Sequence, residues 1–208
     1  MEQIDRLKEF FNEQKIYNPN LIFSEIDKVI ADVVGDAATF KVVATPVATP
    51  GAGEVLINST VALSDTTGDA TIRYTTGTSA PADPTASSPI YTGPITIPAT
   101  GLIIKAKAWK GYQTASSILS ATYTITKAAT PTATPDAGAV ADNSEVVLAC
   151  ATAGSTIYYT VDGSDPDNTK TLYTAPVVIT DAVTIKAIAY APNYAASEVL
   201  TAAYTISA

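Results

Sequence analysis

The stretch Val183-Thr184-Ile185-Lys186-Ala187-Ile188-Ala189 alternates its side chains with a period of two. In a β-strand, successive side chains point to opposite faces of the sheet, so such a pattern places one set on each face. The stretch therefore predicts a strand that packs one face against a core. The core face would carry Val183, Ile185, Ala187 and Ala189, and the other face Thr184, Lys186 and Ile188.

The predicted strand has a partner earlier in the chain, because residues 45–208 contain an internal repeat. Ile104-Lys105-Ala106-Lys107-Ala108-Trp109 matches Ile185-Lys186-Ala187-Ile188-Ala189-Tyr190, 81 residues later. Thr45-Pro46-Val47-Ala48-Thr49-Pro50 likewise returns as Thr130-Pro131-Thr132-Ala133-Thr134-Pro135, 85 residues later. The offset shrinks between motifs, at turn-rich segments, which is where two copies of one fold tolerate deletions.

Each copy contains several short β-type runs separated by turn signals such as Asp162-Gly163 and Ala191-Pro192-Asn193. Such spacing is typical of an antiparallel immunoglobulin-like sandwich. We therefore predict a mainly β protein with two tandem immunoglobulin-like β-sandwiches, residues 45–127 and 128–208, joined as a rod by a proline-containing linker. In the second copy the runs are residues 145–149, 156–161, 171–173, 177–179, 183–190 and 198–206.

Residues 1–44, the anchor segment, differ in composition from the rest and favour two short helices. Apolar side chains recur there at steps of three and four, and Tyr17-Asn18-Pro19-Asn20 separates the two stripes. Helices of this length are marginal alone in water and need a surface to cover their apolar faces. We expect the segment to dock on another protein or to form a dimer or trimer through Ile4, Leu7, Phe10, Phe11, Ile26, Val29, Ile30 and Val33.

The composition excludes several classes of protein. The 208 residues carry a net charge of −8 with only 15% charged residues, and they include no His and a single Cys. A chain without a basic cluster is a poor nucleic-acid binder. Without His and with one Cys, a His-based triad, an imidazole or Cys-rich metal site and an internal disulfide are all excluded. We expect no catalytic residues and no cofactor.

The sequence also shows neither a secretory signal nor an apolar run long enough to cross a membrane. Acidic and basic residues alternate from the first residues onward. We therefore expect no membrane insertion, and a protein that stays inside the cell or leaves it by a route without a signal.

The second copy resembles the chitobiase/β-hexosaminidase C-terminal repeat. The resemblance rests on Tyr158-Tyr159-Thr160-Val161-Asp162-Gly163-Ser164-Asp165-Pro166, on Tyr173-Thr174-Ala175-Pro176, and on the strand motif with Ser197 and Tyr204-Thr205-Ile206. The first copy has Arg73-Tyr74-Thr75-Thr76-Gly77-Thr78-Ser79-Ala80-Pro81 where the family pattern has Asp-Gly-Ser. The resemblance implies an immunoglobulin-like or fibronectin-like accessory module of bacterial extracellular enzymes and surface proteins, with no catalytic residues of its own.

Two groups of residues are candidate binding sites. Asp162, Asp165, Asp167 and Asn168 crowd one loop, and could hold Ca²⁺. We favour a solvated turn instead, because calcium needs six to eight oxygens. Aromatic side chains that follow the long strand of each copy could stack on sugar rings, or could close the end of the core, which we favour. These are Trp109, Tyr112, Tyr190 and Tyr194.

Three functions are compatible with this layout. The first is a virion surface protein of a bacteriophage, because the layout resembles a head-fibre or decoration protein, head- or tail-associated. It would dock on a capsid or other virion protein and touch host-surface polysaccharide with many weak contacts in parallel. The second is a secreted or cell-surface bacterial module that binds polysaccharide or acts as a spacer. The third, a cytoplasmic enzyme, is disfavoured by the missing His and cofactor motifs.

Overall fold

The computed structural model of the protein describes residues 41–111 and 113–207. All regular secondary structure in these two ranges is β. No helix that could cross a membrane occurs within them. The anchor segment, with its predicted helices and its eight apolar contact residues, lies outside the described residues, apart from its last four residues.

Sandwich 1 is formed by seven strands in two sheets. The small sheet has the order β1-β3-β5, and the large sheet the order β2-β7-β6-β4. The two central strands of the large sheet pair antiparallel from Leu102↔Tyr123 to Ala106↔Leu119. The strands are β1 (Val47–Thr49), β2 (Gly53–Val55), β3 (Thr60–Ser64), β4 (Thr71–Gly77), β5 (Ile95–Thr96), β6 (Leu102–Trp109) and β7 (Leu119–Ile125).

Sandwich 2 repeats this plan with eight strands. Its small sheet has the order β13-β10-β8, and its large sheet the order β12-β11-β14-β15-β9. The additional edge strand β12 corresponds to a single bridge between Arg73 and Ile90 in sandwich 1. The strands are β8 (Thr132–Thr134), β9 (Gly138–Val140), β10 (Ser144–Ala149), β11 (Thr156–Thr160), β12 (Thr171–Leu172), β13 (Val177–Ile179), β14 (Val183–Tyr190) and β15 (Leu200–Ile206).

The beginning of each sandwich crosses from one sheet to the other. β1 and β8 end before Pro50 and Pro135, each of which follows a cis peptide bond. The chain then passes through Gly53 and Gly138, both at φ 141°, where a residue with a Cβ is rarely found. β2 and β9 finally pair in parallel with the last strand of their own sandwich, at Gly53↔Tyr123 and Gly138↔Tyr204. The proline and the glycine thus connect the two layers at the same point in both copies.

A tyrosine from the last strand lies at the centre of each core. Tyr123 and Tyr204 are each 1% exposed, and their hydroxyls donate to the carbonyl oxygens of Pro50 (2.7 Å) and Pro135 (2.8 Å). Burial raises the pKa of both phenols, and for Tyr204 the charge of Asp136 adds a smaller contribution. Branched and small side chains fill the rest of the two cores, which include Val61, Ile97, Ile104, Ala106, Val146, Ile179, Ile185 and Ala187.

A buried serine closes the end of each long strand. The hydroxyls of Ser116 and Ser197 accept a hydrogen bond from the amides of Ala108 and Ala189, both at 2.8 Å. Each hydroxyl also donates to the carbonyl of the next residue at 2.7 Å. Because both polar functions of the hydroxyl are satisfied, the serine is buried without the cost of an unpaired group. Ser197, one of the residues that carry the family resemblance, therefore has a structural role.

Candidate functional site

The linker between the sandwiches is held by backbone hydrogen bonds. The amide of Ala195 donates to the carbonyl of Thr126, and the amide of Ala128 donates to the carbonyl of Ala195, both at 2.9 Å. Lys127 and Ala195 therefore form a parallel bridge, which repeats the bridge between Val42 and Thr114 in sandwich 1. The segment that enters each sandwich is thus bound to the loop after the long strand. In sandwich 2 this segment directly follows the last strand of sandwich 1.

A direct contact also joins the two sandwiches. The amide of Ile57, between β2 and β3, donates to the carbonyl of Asn193 at 2.8 Å. Asn193 has a left-handed φ of 63°, a conformation that asparagine tolerates better than most residues. This hydrogen bond and the bound linker define the joint, comprising residues 56–58, 126–128 and 191–198.

An exposed ion pair adds to the joint. Lys127 Nζ donates to Glu198 Oε1, and the two side chains are 58% and 71% exposed. This hydrogen bond, with the charge of the partner, raises the pKa of Lys127 and lowers the pKa of Glu198. Exposed pairs contribute little to stability, so the backbone hydrogen bonds are the main interactions of the joint.

The aromatic candidates occupy different environments. Tyr194 packs against the core of sandwich 2, as expected of a residue that closes its end. Trp109 and Tyr190 are half-buried at equivalent positions on the outer faces of the two large sheets. Lys107 Nζ lies 5.7 Å from the Trp109 ring centre, and Tyr190 makes an edge-to-face contact of 5.9 Å with Tyr158. Tyr112 lies outside the described residues. Among the three described residues, the structure does not bring Trp109, Tyr190 and Tyr194 together in one surface.

The carboxylates of the calcium candidate are bound individually. Asp162 Oδ1 accepts from the amide and hydroxyl of Ser164, at 3.0 and 2.6 Å, and Asp167 Oδ1 accepts from those of Thr169, at 2.7 and 2.5 Å. These hydrogen bonds lower the pKa of both carboxyls. Asp165 pairs with Lys186 at 2.7 Å. In residues 41–111 and 113–207, no group of three acidic or cysteine side chains could hold a metal ion.

The pair between Asp165 and Lys186 has an equivalent that the sequence comparison does not indicate. Lys105 Nζ donates to Asp83 Oδ1 at 2.8 Å in sandwich 1. In both copies the lysine comes from the long strand and the aspartate from the loop after β4 or β11. The shared pair therefore attaches this loop to the outer face of the large sheet.

A second feature missed at the sequence level is an open depression at the edge of sandwich 2, which we call the groove. It has a volume of about 470 Å³ and lies between the end of β11 and the segment that leads into β12. Its lining includes Tyr159, Val161, Asp162, Thr169, Lys170 and Thr171. The available signal was a difference between the copies, since Asp162 and Lys170 correspond to Gly77 and Ser88 in the first copy.

Comparison with known families supports the repeat directly. A family model described as Fn3 associated matches residues 61–123 and 146–204, which is more than half of the chain. The chain belongs to the Fn3-associated family. The two matched stretches lie within the two sandwiches, so the chain carries two Fn3-associated units in tandem.

Solved structures show only distant similarity. Domains 7, 8 and 9 of the S-layer protein SbsC are 17% identical with a TM-score of 0.26, covering 77% of this chain and 62% of that one. Drosophila N-cadherin EC1-4 is 11% identical with a TM-score of 0.27, covering 80% and 48%. The human OSCAR ligand-binding domain is 18% identical with a TM-score of 0.26, covering 78% and 99%. The chain thus spans less than two thirds of the first two structures. No curated protein matches the chain.

Proposed function

We propose that this chain is a non-enzymatic structural and adhesive protein of a bacteriophage particle surface, such as a head fibre, decoration protein or tail-associated protein. In this proposal the anchor segment binds a capsid or other virion protein, or forms a dimer or trimer. The two sandwiches project from it and contact polysaccharide on the host surface.

The joint is the observation that carries the proposal. A projecting protein must hold its outer domain away from its point of attachment, which requires a linker that resists bending. Here the linker is bound through the backbone of Thr126 and Ala128 to Ala195, and Ile57 adds a direct contact with Asn193. Three backbone hydrogen bonds leave less freedom than a solvated linker of similar length would have.

The composition of the anchor segment supports attachment at the other end of the chain. Its apolar residues follow two helical stripes that need a covering surface. Many copies on one particle would also convert weak individual contacts into strong overall binding.

Sedimentation analysis of the full chain, and of a chain that lacks residues 1–44, tests the attachment. We expect the full chain to be a dimer or trimer, or to co-sediment with phage particles that lack it, and the shortened chain to do neither. Leu7→Asp and Val29→Asp should abolish the association, whereas Lys8→Gln, outside the apolar stripes, should preserve it. Identical monomeric behaviour of both chains, with no binding to particles, would contradict the proposal.

A secreted or cell-surface bacterial module is the alternative, and the resemblance to the chitobiase-type repeat favours it. Such a module would bind polysaccharide or separate other domains without attachment to a virion. The same sedimentation experiment distinguishes the two functions, since this alternative requires no association through the anchor segment.

A further inference from the structure

The groove of sandwich 2 has the size of a ligand site and an open form. Its volume of about 470 Å³ lies within the range of ≈ 300–1,000 Å³ that is usual for small-molecule sites. It opens at the edge of the sandwich, beside the end of β11. An open depression suits one unit of a longer molecule better than a ligand that must be enclosed.

One lining residue of the groove, Tyr159, belongs to an aromatic pair that both copies share. The rings of Tyr159 and Tyr173 are 6.2 Å apart at 80°, and both residues pack against the core. In sandwich 1, Tyr74 and Tyr91 repeat this contact at 6.2 Å and 81°. Because the pair occurs in both copies, we regard it as part of the common scaffold. It fixes the orientation of the half-buried Tyr159 ring.

The rim of the groove carries one acceptor and one donor of opposite charge. The turn at Ser164 occupies Asp162 Oδ1, and within the described ranges Oδ2 has no hydrogen-bond partner. Among the described residues, the ammonium group of Lys170 has no carboxylate partner within 4 Å. Its charge nevertheless contributes to the lowered pKa of Asp162, after the larger effect of the hydrogen bonds from Ser164. The lining thus offers a carboxylate oxygen and an ammonium group, and the charges of these two lining residues cancel. The charge of Lys170 also lowers the pKa of Asp167, after the larger effect of Thr169, but Asp167 lies outside the lining.

This combination selects a class of ligand. An apolar wall of Tyr159 and Val161, the latter 48% exposed, can cover the C–H face of a ring. A carboxylate accepts strong hydrogen bonds from hydroxyl groups, and an ammonium group donates them. A rim without net charge gives an ionic ligand no advantage over a neutral one. We propose that the groove binds a neutral pyranose unit of a glycan, an inference that rests on the adhesive function proposed above and is confined to sandwich 2.

Sandwich 1 provides an internal control, since it has the same scaffold without the charged rim. The positions of Val161 and Asp162 are taken by Thr76 and Gly77, and those of Thr169, Lys170 and Thr171 by Ser87, Ser88 and Pro89. The shared tyrosine pair is therefore present where the carboxylate and the ammonium group are missing. Binding that depends on the rim has to occur in sandwich 2 alone.

An amide-resolved NMR titration of the full chain tests the proposal. The probes are glucose, galactose, mannose, N-acetylglucosamine and, as an anionic sugar, glucuronic acid. We expect at least one neutral sugar to shift the amide signals of residues 159–162 and 169–171 and to leave residues 74–77 and 87–89 unchanged. A glycan array probed with the full chain extends the test to longer ligands.

Variants separate the rim from the scaffold. Asp162→Asn keeps the oxygen that accepts from Ser164, so the turn is preserved while the charge is lost. We expect Asp162→Asn and Lys170→Gln each to weaken binding about tenfold, the effect of losing one charge-assisted hydrogen bond. Asp69→Asn and Lys110→Gln, the matched charge removals in sandwich 1, should bind as the parent chain does.

Three results would overturn the inference. The first is the absence of binding on both the array and the titration, and the second is an equal response of the two sandwiches. The third is binding of glucuronic acid alone, which would replace the neutral ligand class by an anionic one. None of these results affects association through residues 1–44, so the attachment proposed above would stand or fall separately in the sedimentation experiment.

Discussion

Sandwich 1 and sandwich 2 share their interior and differ at their edges. Each has a buried tyrosine bonded to a proline carbonyl, a serine that closes the long strand, and an aspartate–lysine pair that holds the same loop. They differ in the rim around the tyrosine pair, where only sandwich 2 carries Asp162 and Lys170. The features present in both copies belong to the common fold, and the differences lie where we propose a binding site.

The greatest loss of stability should come from cavities in the two cores, and it tests whether these cores are equivalent. Ile104 and Ile185 occupy matching positions and are each 0% exposed. Ile104→Ala and Ile185→Ala should each destabilise their own sandwich by about 2–5 kcal/mol, because both leave a cavity in a packed core. Trp109, the single tryptophan, reports denaturant unfolding of sandwich 1 by fluorescence, while circular dichroism reports both sandwiches.

Ile90→Ala is the control for this prediction, since Ile90 is 50% exposed and should change stability by less than about 0.5 kcal/mol. A loss in one sandwich several times larger than in the other would break the comparison of the two cores.

The next effect concerns a position at which the copies differ. Gly101 has φ 73°, and a Cβ added there would lie 2.6 Å from the carbonyl oxygen of Tyr123. Gly101→Ala should destabilise sandwich 1 by about 1–3 kcal/mol, because the added Cβ strains the backbone. Denaturant unfolding followed by Trp109 fluorescence measures this loss. The corresponding residue of sandwich 2 is already alanine, Ala182.

Gly93→Ala is the matched substitution, because a Cβ at Gly93 would meet no atom within 4 Å. If Gly101→Ala destabilised sandwich 1 no more than Gly93→Ala does, this would contradict the close approach of the Tyr123 carbonyl in β7 to residue 101.

A smaller effect is expected from the two core hydroxyls. Tyr123→Phe and Tyr204→Phe should each cost about 1 kcal/mol, because the carbonyl of Pro50 or Pro135 loses its partner. The raised pKa of each phenol means that the folded protein holds the proton more tightly than the unfolded chain. The stabilisation from each buried phenol should thus be fully present below the ordinary pKa of tyrosine. It should be lost as the pH rises through the raised pKa.

Each Tyr→Phe variant should lose its share of this alkaline dependence, which unfolding in denaturant at increasing pH would measure. An unchanged alkaline profile in both variants would contradict the assignment of the effect to these two side chains.

The smallest effect concerns the ion pair of the joint. The pKa of Glu198 is lowered, so the stabilisation from its ion pair with Lys127 is fully present above the ordinary pKa of a glutamate. This stabilisation is lost as the pH falls through the lowered value. The raised pKa of Lys127 preserves the pair until strongly alkaline pH. Glu198→Gln should therefore remove a slight acid dependence of the relative orientation of the sandwiches, measured by small-angle X-ray scattering. A collapse of the fixed orientation in this variant would show that the ion pair, and not the backbone bonds, holds the joint.

Periodicity and internal repetition predicted most of the β architecture. The strands Val183–Tyr190, with its clear alternation, and Val177–Ile179, an apolar run, have the predicted bounds. The three-residue strands Thr132–Thr134 and Gly138–Val140 were missed. Pro131 and Pro135 flank the first and Gly138 begins the second, so both are too short for a period of two to be recognised. The core of sandwich 1 also includes Val43, which is 2% exposed and precedes the predicted boundary at residue 45.

The candidate sites were less predictable than the fold. The three aspartates of the calcium candidate are close in sequence, yet each carboxylate has a different partner. Asp162 accepts from Ser164, Asp167 accepts from Thr169, and Asp165 pairs with Lys186. The groove combines the end of one strand with the start of another, and such a juxtaposition depends on the loop between them. Only the comparison of the two copies, at Gly77 and Asp162, contained a signal for it.

We expect the bound linker to hold the two sandwiches in one orientation. Residual dipolar couplings measured on the full chain in a weakly aligning medium test this directly, because each sandwich reports its own alignment tensor. We predict that residues 41–125 and 128–207 give tensors of the same orientation and magnitude, and that Ala195→Pro, which removes the amide bonded to Thr126, makes them differ. Two unrelated tensors in the unmodified chain would show that the linker does not fix the orientation of the sandwiches.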